Sequence, residues 1–163
     1  MDSFSLTITS ERPDSADALS LIQQLDEDLL RRYPEMPAHL IHGLVDSDLA
    51  DPSFTFIVAR IAGRPVGCGA LRSLEPGVAE VKRMYVQPEF RRRGIARRIL
   101  SVLESTALEL SCATLRLETG KGQPEAISLY TCSGYREIAA FGEYDSRYSI
   151  CLEKLLHQAI DSP

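Results

Sequence analysis

The period of the apolar positions changes several times along the chain, and each change marks an element. Leu6 and Ile8 alternate with polar neighbours, the two-residue period of a strand. Arg12-Pro13-Asp14 interrupts it, and Asp14 or Ser15 stands ready to cap a helix. In that helix Ala18, Leu21, Ile22, Leu25 and Leu29 recur at helical spacing to about Arg32, and Asp26, Glu27 and Asp28 face solvent or a substrate. The stretch from Tyr33 to Pro37 reads as a turn, with a short helix expected from Ala38 to about Val45. Asp46-Ser47-Asp48 reads as loop, closed by Asp51-Pro52. Strands are expected at Phe54 to Ile61 and Pro65 to Leu71, joined through Ala62-Gly63-Arg64 as a hairpin. Glu75-Pro76-Gly77 turns the chain into a strand around Val81, Met84 and Val86, which stops at Gln87-Pro88.

Ile95, Ile99, Val102, Leu103 and Leu110 then lie on one face of a long helix. Thr114 to Glu118 is a strand and Gly120-Lys121-Gly122-Gln123 a loop, with Pro124 suited to the first helical position. The helix carrying Ala126, Ile127 and Tyr130 ends at Gly134, a natural C-terminal cap. Tyr135 to Ala140 and Tyr148 to Leu155 are the last strands, with Phe141 to Asp145 between them. The order β-α-α-β-β-β-α-β-α-β-β describes one mixed α/β domain over residues 1–163, with no repeats or linkers.

Composition narrows the class. With 44% apolar and 25% charged residues, 163 residues can bury a real core, and no apolar run approaches the ~20 residues of a membrane span. The N-terminus has neither a basic region nor a long apolar core, so a cytoplasmic protein is expected. Cys68, Cys112, Cys132 and Cys151 are far apart in apolar surroundings and read as reduced core thiols. His39 and His42 share a helical face but have no third ligand at sensible spacing, so no metal is expected.

Charge adds the first chemical signal. The net charge is −5, yet Lys82, Arg83, Arg91, Arg92, Arg93, Arg97 and Arg98 crowd into one short stretch. That distribution fits a local anionic ligand better than nucleic acid. The same stretch runs strand, Gly-containing loop, helix start. Unpaired N–H groups of a helix N-terminus and its positive dipole end make such a turn a phosphate cradle. The Walker pattern is excluded because Gly94 is followed by Ile-Ala-Arg. Gly67-Cys68-Gly69 and Gly120-Lys121-Gly122 each lack the third glycine of the dinucleotide fingerprint.

Arg91-x-x-Gly94-x-Ala96 after a strand resembles motif A of the GNAT superfamily of acyl-CoA-dependent N-acyltransferases. Downstream, Gln123, Ala126, Leu129, Tyr130, Gly134 and Tyr135 match that family's Asn-x-x-Ala-x-x-Leu-Tyr-x-x-x-Gly-Phe/Tyr, with Gln123 departing from its Asn. The resemblance implies a GNAT fold, a mixed and mostly antiparallel central sheet flanked by helices. It implies acetyl-CoA as cosubstrate. The free backbone groups of Met84, Tyr85 and Val86 would pair with the cosubstrate's amide arm, and Arg91, Arg92, Arg93, Gly94, Ile95, Ala96 and Arg97 would hold its pyrophosphate. Gln123, Ala126 and Tyr130 would lie beside it.

The implied reaction is attack of a neutral amine on a thioester. A lysine-like amine, of pKa ~10.4, needs help losing its proton, whereas an α-amine near ~7.7–8.0 needs less. By resemblance to histone-acetylating members of the family, whose catalytic Glu lies at the same distance from the loop, Glu80 is the candidate base, and Tyr130 is the candidate acid for the leaving thiolate, with the Val86 N–H on the oxyanion. Tyr33, Glu35, Glu118 and Tyr144 are placed to line the acceptor side. The acidic remainder of the chain favours a cationic small-molecule amine such as a polyamine, amino acid or aminoglycoside. A protein amine stays open, no nucleic-acid or membrane partner is expected, and the chain is read as monomer or homodimer. The rival reading is a non-catalytic acyl-CoA sensor.

Overall fold

The computed structural model describes residues 5–37, 41 and 43–157. Its elements run β1 (Leu6–Ser10), α1 (Ala16–Arg32), α2 (Asp46–Ala50), β2 (Thr55–Ile61), β3 (Arg64–Glu75), β4 (Val78–Val86), a 3-10 turn (Pro88–Phe90), α3 (Ile95–Glu109), β5 (Thr114–Gly120), α4 (Pro124–Cys132), β6 (Arg136–Ile138) and β7 (Ser149–Leu155). The expected order of strands and helices holds. Ser15, one of the two candidates, caps α1, its hydroxyl accepting from the Ala18 N–H at 3.1 Å.

Three sequence-based bounds need correction. Residues 38–40 and 42, with His39 and His42, lie outside the described residues, so the expected helix there is not described. Asp46–Ala50, expected as loop, is instead helical, because the Asp48 carboxylate accepts from the Val45 N–H (3.1 Å) and acidic residues occupy the first turn. The Pro65–Leu71 strand extends to Glu75 and the Tyr135–Ala140 strand shrinks to Arg136–Ile138.

The seven strands lie in one sheet, in the order β1-β2-β3-β4-β5-β7-β6. Every pairing is antiparallel except β4 with β5, which α3 joins by a crossover. Ala62 and Gly63, both at positive φ (49° and 79°), make the two-residue β2–β3 turn whose twist suits a hairpin.

Two apolar clusters cover the two faces. On one, Ile95, Ile99, Leu100 and Leu103 of α3 pack on Ile57, Val66, Leu71, Val81, Leu115 and Leu117, with Tyr130 and Tyr135 beside them. On the other, Ala18, Leu21 and Leu25 of α1 pack on Phe56, Val58, Cys68, Ala70 and Tyr85. The residues between two apolar β3 neighbours, Gly67 and Gly69, allow α3 to sit close. A Cβ at Gly69 would stand 2.8 Å from Ile99 Cγ2, 2.9 Å from Met84 Sδ and 3.0 Å from Leu103 Cδ1. These glycines are helix-packing residues. Of the four cysteines, Cys68, Cys112 and Cys151 are buried, while Cys132 is exposed on α4 rather than in the core.

Candidate active site

The site begins with an extra residue in β4. Cys68 pairs with Tyr85 and Ala70 with Lys82, so Gly69 faces both Arg83 and Met84, and Arg83 adopts φ 56°. A left-handed non-Gly residue costs about 1–2 kcal/mol. Here it is held by an Arg83–Asp26 ion pair (2.6 Å) and by the Cys68 thiol donating to the Arg83 carbonyl (3.2 Å). Burial pushes that thiol up to about 12, so it keeps the proton it donates.

Past the bulge, β4 leaves β5. The parallel ladder ends at Val81 and Leu117, although β4 continues to Val86 and β5 to Gly120. The expected splayed edge is therefore present. Gln87 N–H donates to the Val66 carbonyl (2.9 Å), making Val66 and Gln87 a bonded pair, Gly67 and Val86 a non-bonded one, and Cys68 and Tyr85 bonded again. The Val86 N–H and C=O thus point to the open edge, whereas the Tyr85 groups, expected there too, turn to β3. The Val86 carbonyl accepts from Arg91 Nε (2.8 Å).

The parting opens two joined cavities. The larger, of about 780 Å³, is lined on one side by Met84, Tyr85 and Val86 and on the other by Gln123, Ala126 and Tyr130. Its floor is the loop entering α3, with Arg91, Arg92, Gly94, Ile95, Ala96 and Arg97. Arg93 does not line it and stacks on Phe90 (5.4 Å). Gly94 caps α3 at φ 74°, and a Cβ there would meet nothing within 4 Å, so the helix N–H groups open onto free space. Arg91 is partly spent on structure, lying 3.6 Å from Asp28 and 5.7 Å from the Tyr85 ring. Asp26, half-exposed, and Asp28, which lines the larger cavity, are also ion-paired, Asp26 with Arg83 and Asp28 with Arg31, Arg32 and Arg91.

The smaller cavity, of about 150 Å³, holds Tyr33, Lys82, Arg83, Glu118, Tyr144 and Tyr148. It shares Leu25, Met84, Gln123, Ala126 and Tyr130 with the larger, so the two meet at Tyr130. Tyr33 hydroxyl accepts from the Gly122 N–H (3.1 Å), and a Cβ on Gly120 would collide with that hydroxyl. The Gly120/Gly122 pair, excluded as a nucleotide fingerprint, is the seat of this tyrosine. Gln123, at the family's Asn position, caps α4, and its side-chain oxygen accepts from Thr119 Oγ1 (3.4 Å).

The titratable groups sort by surroundings. Glu80, the expected base, is fully buried, with Oε2 accepting from Arg72 Nε (2.7 Å) and Oε1 from the Tyr144 hydroxyl. It lines neither cavity. Glu118 does, and burial raises its pKa, partly offset by its hydrogen bond to Ser149 and by nearby Lys82. Tyr130 is almost entirely buried, and burial, then the Glu118 charge, raises its phenol well above the ordinary value. Glu118 alternates to the α1 face of β5 while Tyr130 belongs to the cluster under α3, and the gap between β4 and β5 brings them together. Sequence reasoning placed Glu118 only at the acceptor side and counted Lys82 only as part of the basic stretch that fits an anionic ligand. The available signal was the charged i, i+2 pair Glu80 and Lys82 inside an apolar central strand.

Known proteins resemble this chain in sequence and in fold. Residues 20–135 match the profile of the acetyltransferase (GNAT) family. Over 153 residues, covering 93% of this chain and 98% of the relative, the sequence is 39% identical to the IAA acetyltransferase of Azospirillum brasilense. It is 31% identical over 110 residues, 66% of this chain and 73% of the relative, to YsnE, an uncharacterized N-acetyltransferase of Bacillus subtilis. Among solved structures, a provisionally assigned acyl-CoA N-acyltransferase of Klebsiella pneumoniae superposes with a TM-score of 0.77 at 33% identity, covering 95% of this chain and 100% of the other. PaiA N-acetyltransferase of Thermoplasma acidophilum, solved with coenzyme A, shares the fold (TM-score 0.70, 17% identity, 93% and 99% covered). The splayed β4, the open Gly94 turn and these likenesses agree, and the chain belongs to the GNAT family of acyl-CoA-dependent N-acyltransferases.

Proposed function

We propose that this enzyme transfers the acetyl group of acetyl-CoA to the amine of a small molecule by direct attack, with both substrates in the joined cavities at once. The observation that carries the reading is the junction itself, where Tyr130 borders a long cavity ending on a helix N-terminus and a small one holding Glu118. The residues fit the cosubstrate. Gly94, Ile95 and Ala96 leave helix N–H groups open to a pyrophosphate, with Arg92 and Arg97 adding charge, and past Val81 the edge of β4 is no longer covered by β5 and borders the cavity. Acetyl-CoA supplies a thioester that an amine can attack without prior activation of the acyl group.

The protein's own groups then manage protons. Glu118 takes the proton from the acceptor ammonium, its raised pKa bringing it nearer the working range of a base. Both Glu80 oxygens are engaged, which favours Glu118 for this role and leaves Glu80 as the anchor of Arg72 and Tyr144. The Val86 N–H stabilises developing charge on the acyl oxygen. Tyr130, kept protonated by burial, donates to the departing thiolate. Among the described residues lining either cavity there is no cysteine, which favours direct transfer over an acyl-enzyme. The small volume, walled by Tyr33, Tyr144 and Tyr148, favours a small acceptor over a protein chain.

The test is the pH–rate profile with an accepted amine. Glu118→Gln is expected to abolish the acid limb and lower kcat/KM by roughly 10²–10⁴-fold, while Glu80→Gln keeps the limb. A limb that survives Glu118→Gln sinks the assignment. Tyr130→Phe is expected to lower kcat by about 10²-fold or more with little change in acetyl-CoA affinity, and a wild-type rate removes the acid role.

A further inference from the structure

Consecutive residues of a strand point to opposite faces. Lys82 and Arg83 are consecutive in β4, yet both line the small cavity, because the bulge at Arg83 turns its side chain to the face that Lys82 already occupies. Strain in the backbone thus brings two cations to one chamber. Both are at least nine-tenths buried, Lys82 being 7% and Arg83 9% exposed.

Neither has its donors filled. Arg83 spends one terminal nitrogen on Asp26, but its Nε is buried with no hydrogen-bond partner, the single such side-chain atom among the described residues. Lys82 Nζ, with three N–H donors, bonds to the Tyr144 hydroxyl at 3.2 Å. Burial lowers the Lys82 pKa, countered by Glu80. A buried donor left unmatched costs free energy, so a site that keeps one is waiting for an acceptor atom. Two cationic donors converging on one space suit an anionic oxygen better than a neutral one. The neighbouring acids are already taken. Arg72 holds Glu80 and Asp48, Arg83 holds Asp26, and Arg147 holds Asp145 at 2.6 Å. Glu118 remains for an ammonium group.

We propose that the acceptor is an amine carrying a carboxylate, a free amino acid, whose carboxylate is received by Lys82 Nζ and the Arg83 guanidinium while its amine meets Glu118. This deepens the acetyl-transfer reading and rests on it. The size agrees: a cavity of about 150 Å³ is one that benzene, of ~6 heavy atoms, can enter, which admits an amino acid backbone with a short side chain.

The experiment pairs each free amino acid with its own carboxamide and its decarboxylated amine, all assayed with acetyl-CoA. The acids are expected to exceed their amides in kcat/KM by about 10–100-fold, mostly through KM, the loss expected for a charge-assisted contact. Amidation lowers the proton affinity of the neighbouring amine, so availability of the nucleophile alone favours the amide, and the expected order runs against it. Lys82→Met, an apolar replacement of similar length, is expected to bring the acid-to-amide ratio near one while calorimetric acetyl-CoA affinity stays unchanged. Amides or simple amines turned over as well as the acids overturn the carboxylate site and leave acetyl transfer standing. A ratio unmoved by Lys82→Met overturns it as well. Turnover of no amine by protein that binds acetyl-CoA overturns the transfer reading, and this inference with it.

Discussion

Desolvation raises the proton affinity of both Glu118 and Tyr130, because in each the charged form is the anion. For the carboxyl this moves titration toward neutrality, which suits the proposed base. For the phenol it moves titration away, which suits the proposed acid. The Glu118 shift also acts on stability. Its folded pKa lies above its unfolded value, so between the two the native state binds more protons, and stability falls as pH rises through that window. Ionised Glu118 is therefore a stability cost at neutral pH. Glu118→Gln is expected to unfold at an equal or higher temperature than wild type at pH 7, with the difference vanishing in acid. Thermal melts across pH check it, and a variant less stable at pH 7 contradicts it. At this scale Tyr130 stood out in the sequence because it is one of six spaced residues that form a recognisable pattern. Glu118 was legible only as a position at a strand end, and Lys82 and Arg83 only as charge, since the bulge that aims Arg83 has no local sequence signal beyond Gly69 opposite it.

Elements were easier to read than their junctions. The strand and helix order followed from period, but the short α2 was missed because Asp46-Ser47-Asp48 has loop composition, and its helix rests on one carboxylate cap. The packing of α3 on β3 was equally hidden in two glycines that looked like a broken nucleotide motif. Gly69→Ala is expected to cost about 1–3 kcal/mol in denaturant unfolding, because Ile99, Leu103 and Met84 must all give way. The helix start behaves differently. Gly94→Ala meets no atom, so the fold loses only the left-handed backbone cost of about 1–2 kcal/mol. Acetyl-CoA affinity is expected to fall by roughly tenfold or more, because the new methyl stands over the N–H groups. Gly63→Ala, also at positive φ with open space, serves as the matched control, expected to share the backbone cost and leave the affinity alone. Equal affinities in all three proteins contradict the cradle.

For the whole molecule, the cosubstrate should couple to stability. At acetyl-CoA about 100 times its Kd, unfolding should be opposed by ~2.7 kcal/mol, a rise in Tm of roughly 5–11 °C, with ATP and NAD giving none. A matching rise with ATP contradicts selectivity for the acyl carrier. The family was legible from one turn and one downstream pattern, while the lining of the small cavity was not, because a bulge, the tyrosine that follows α1 and a loop before β7 meet only in three dimensions. The seam at which both substrates are proposed to sit is also the one parallel pairing in the sheet. Strands β2, β3 and β4 meet through tight turns, and β5, β6 and β7 come from the later part of the chain. A parallel pair must wait for its crossover to close, so it bears the larger loop entropy. In the order of folding, hairpins are expected first and the β4–β5 ladder late, and a ladder that is only four residues long leaves the last join of the assembly half unzipped. The binding cleft is, in kinetic terms, a closure that the chain never completes by itself.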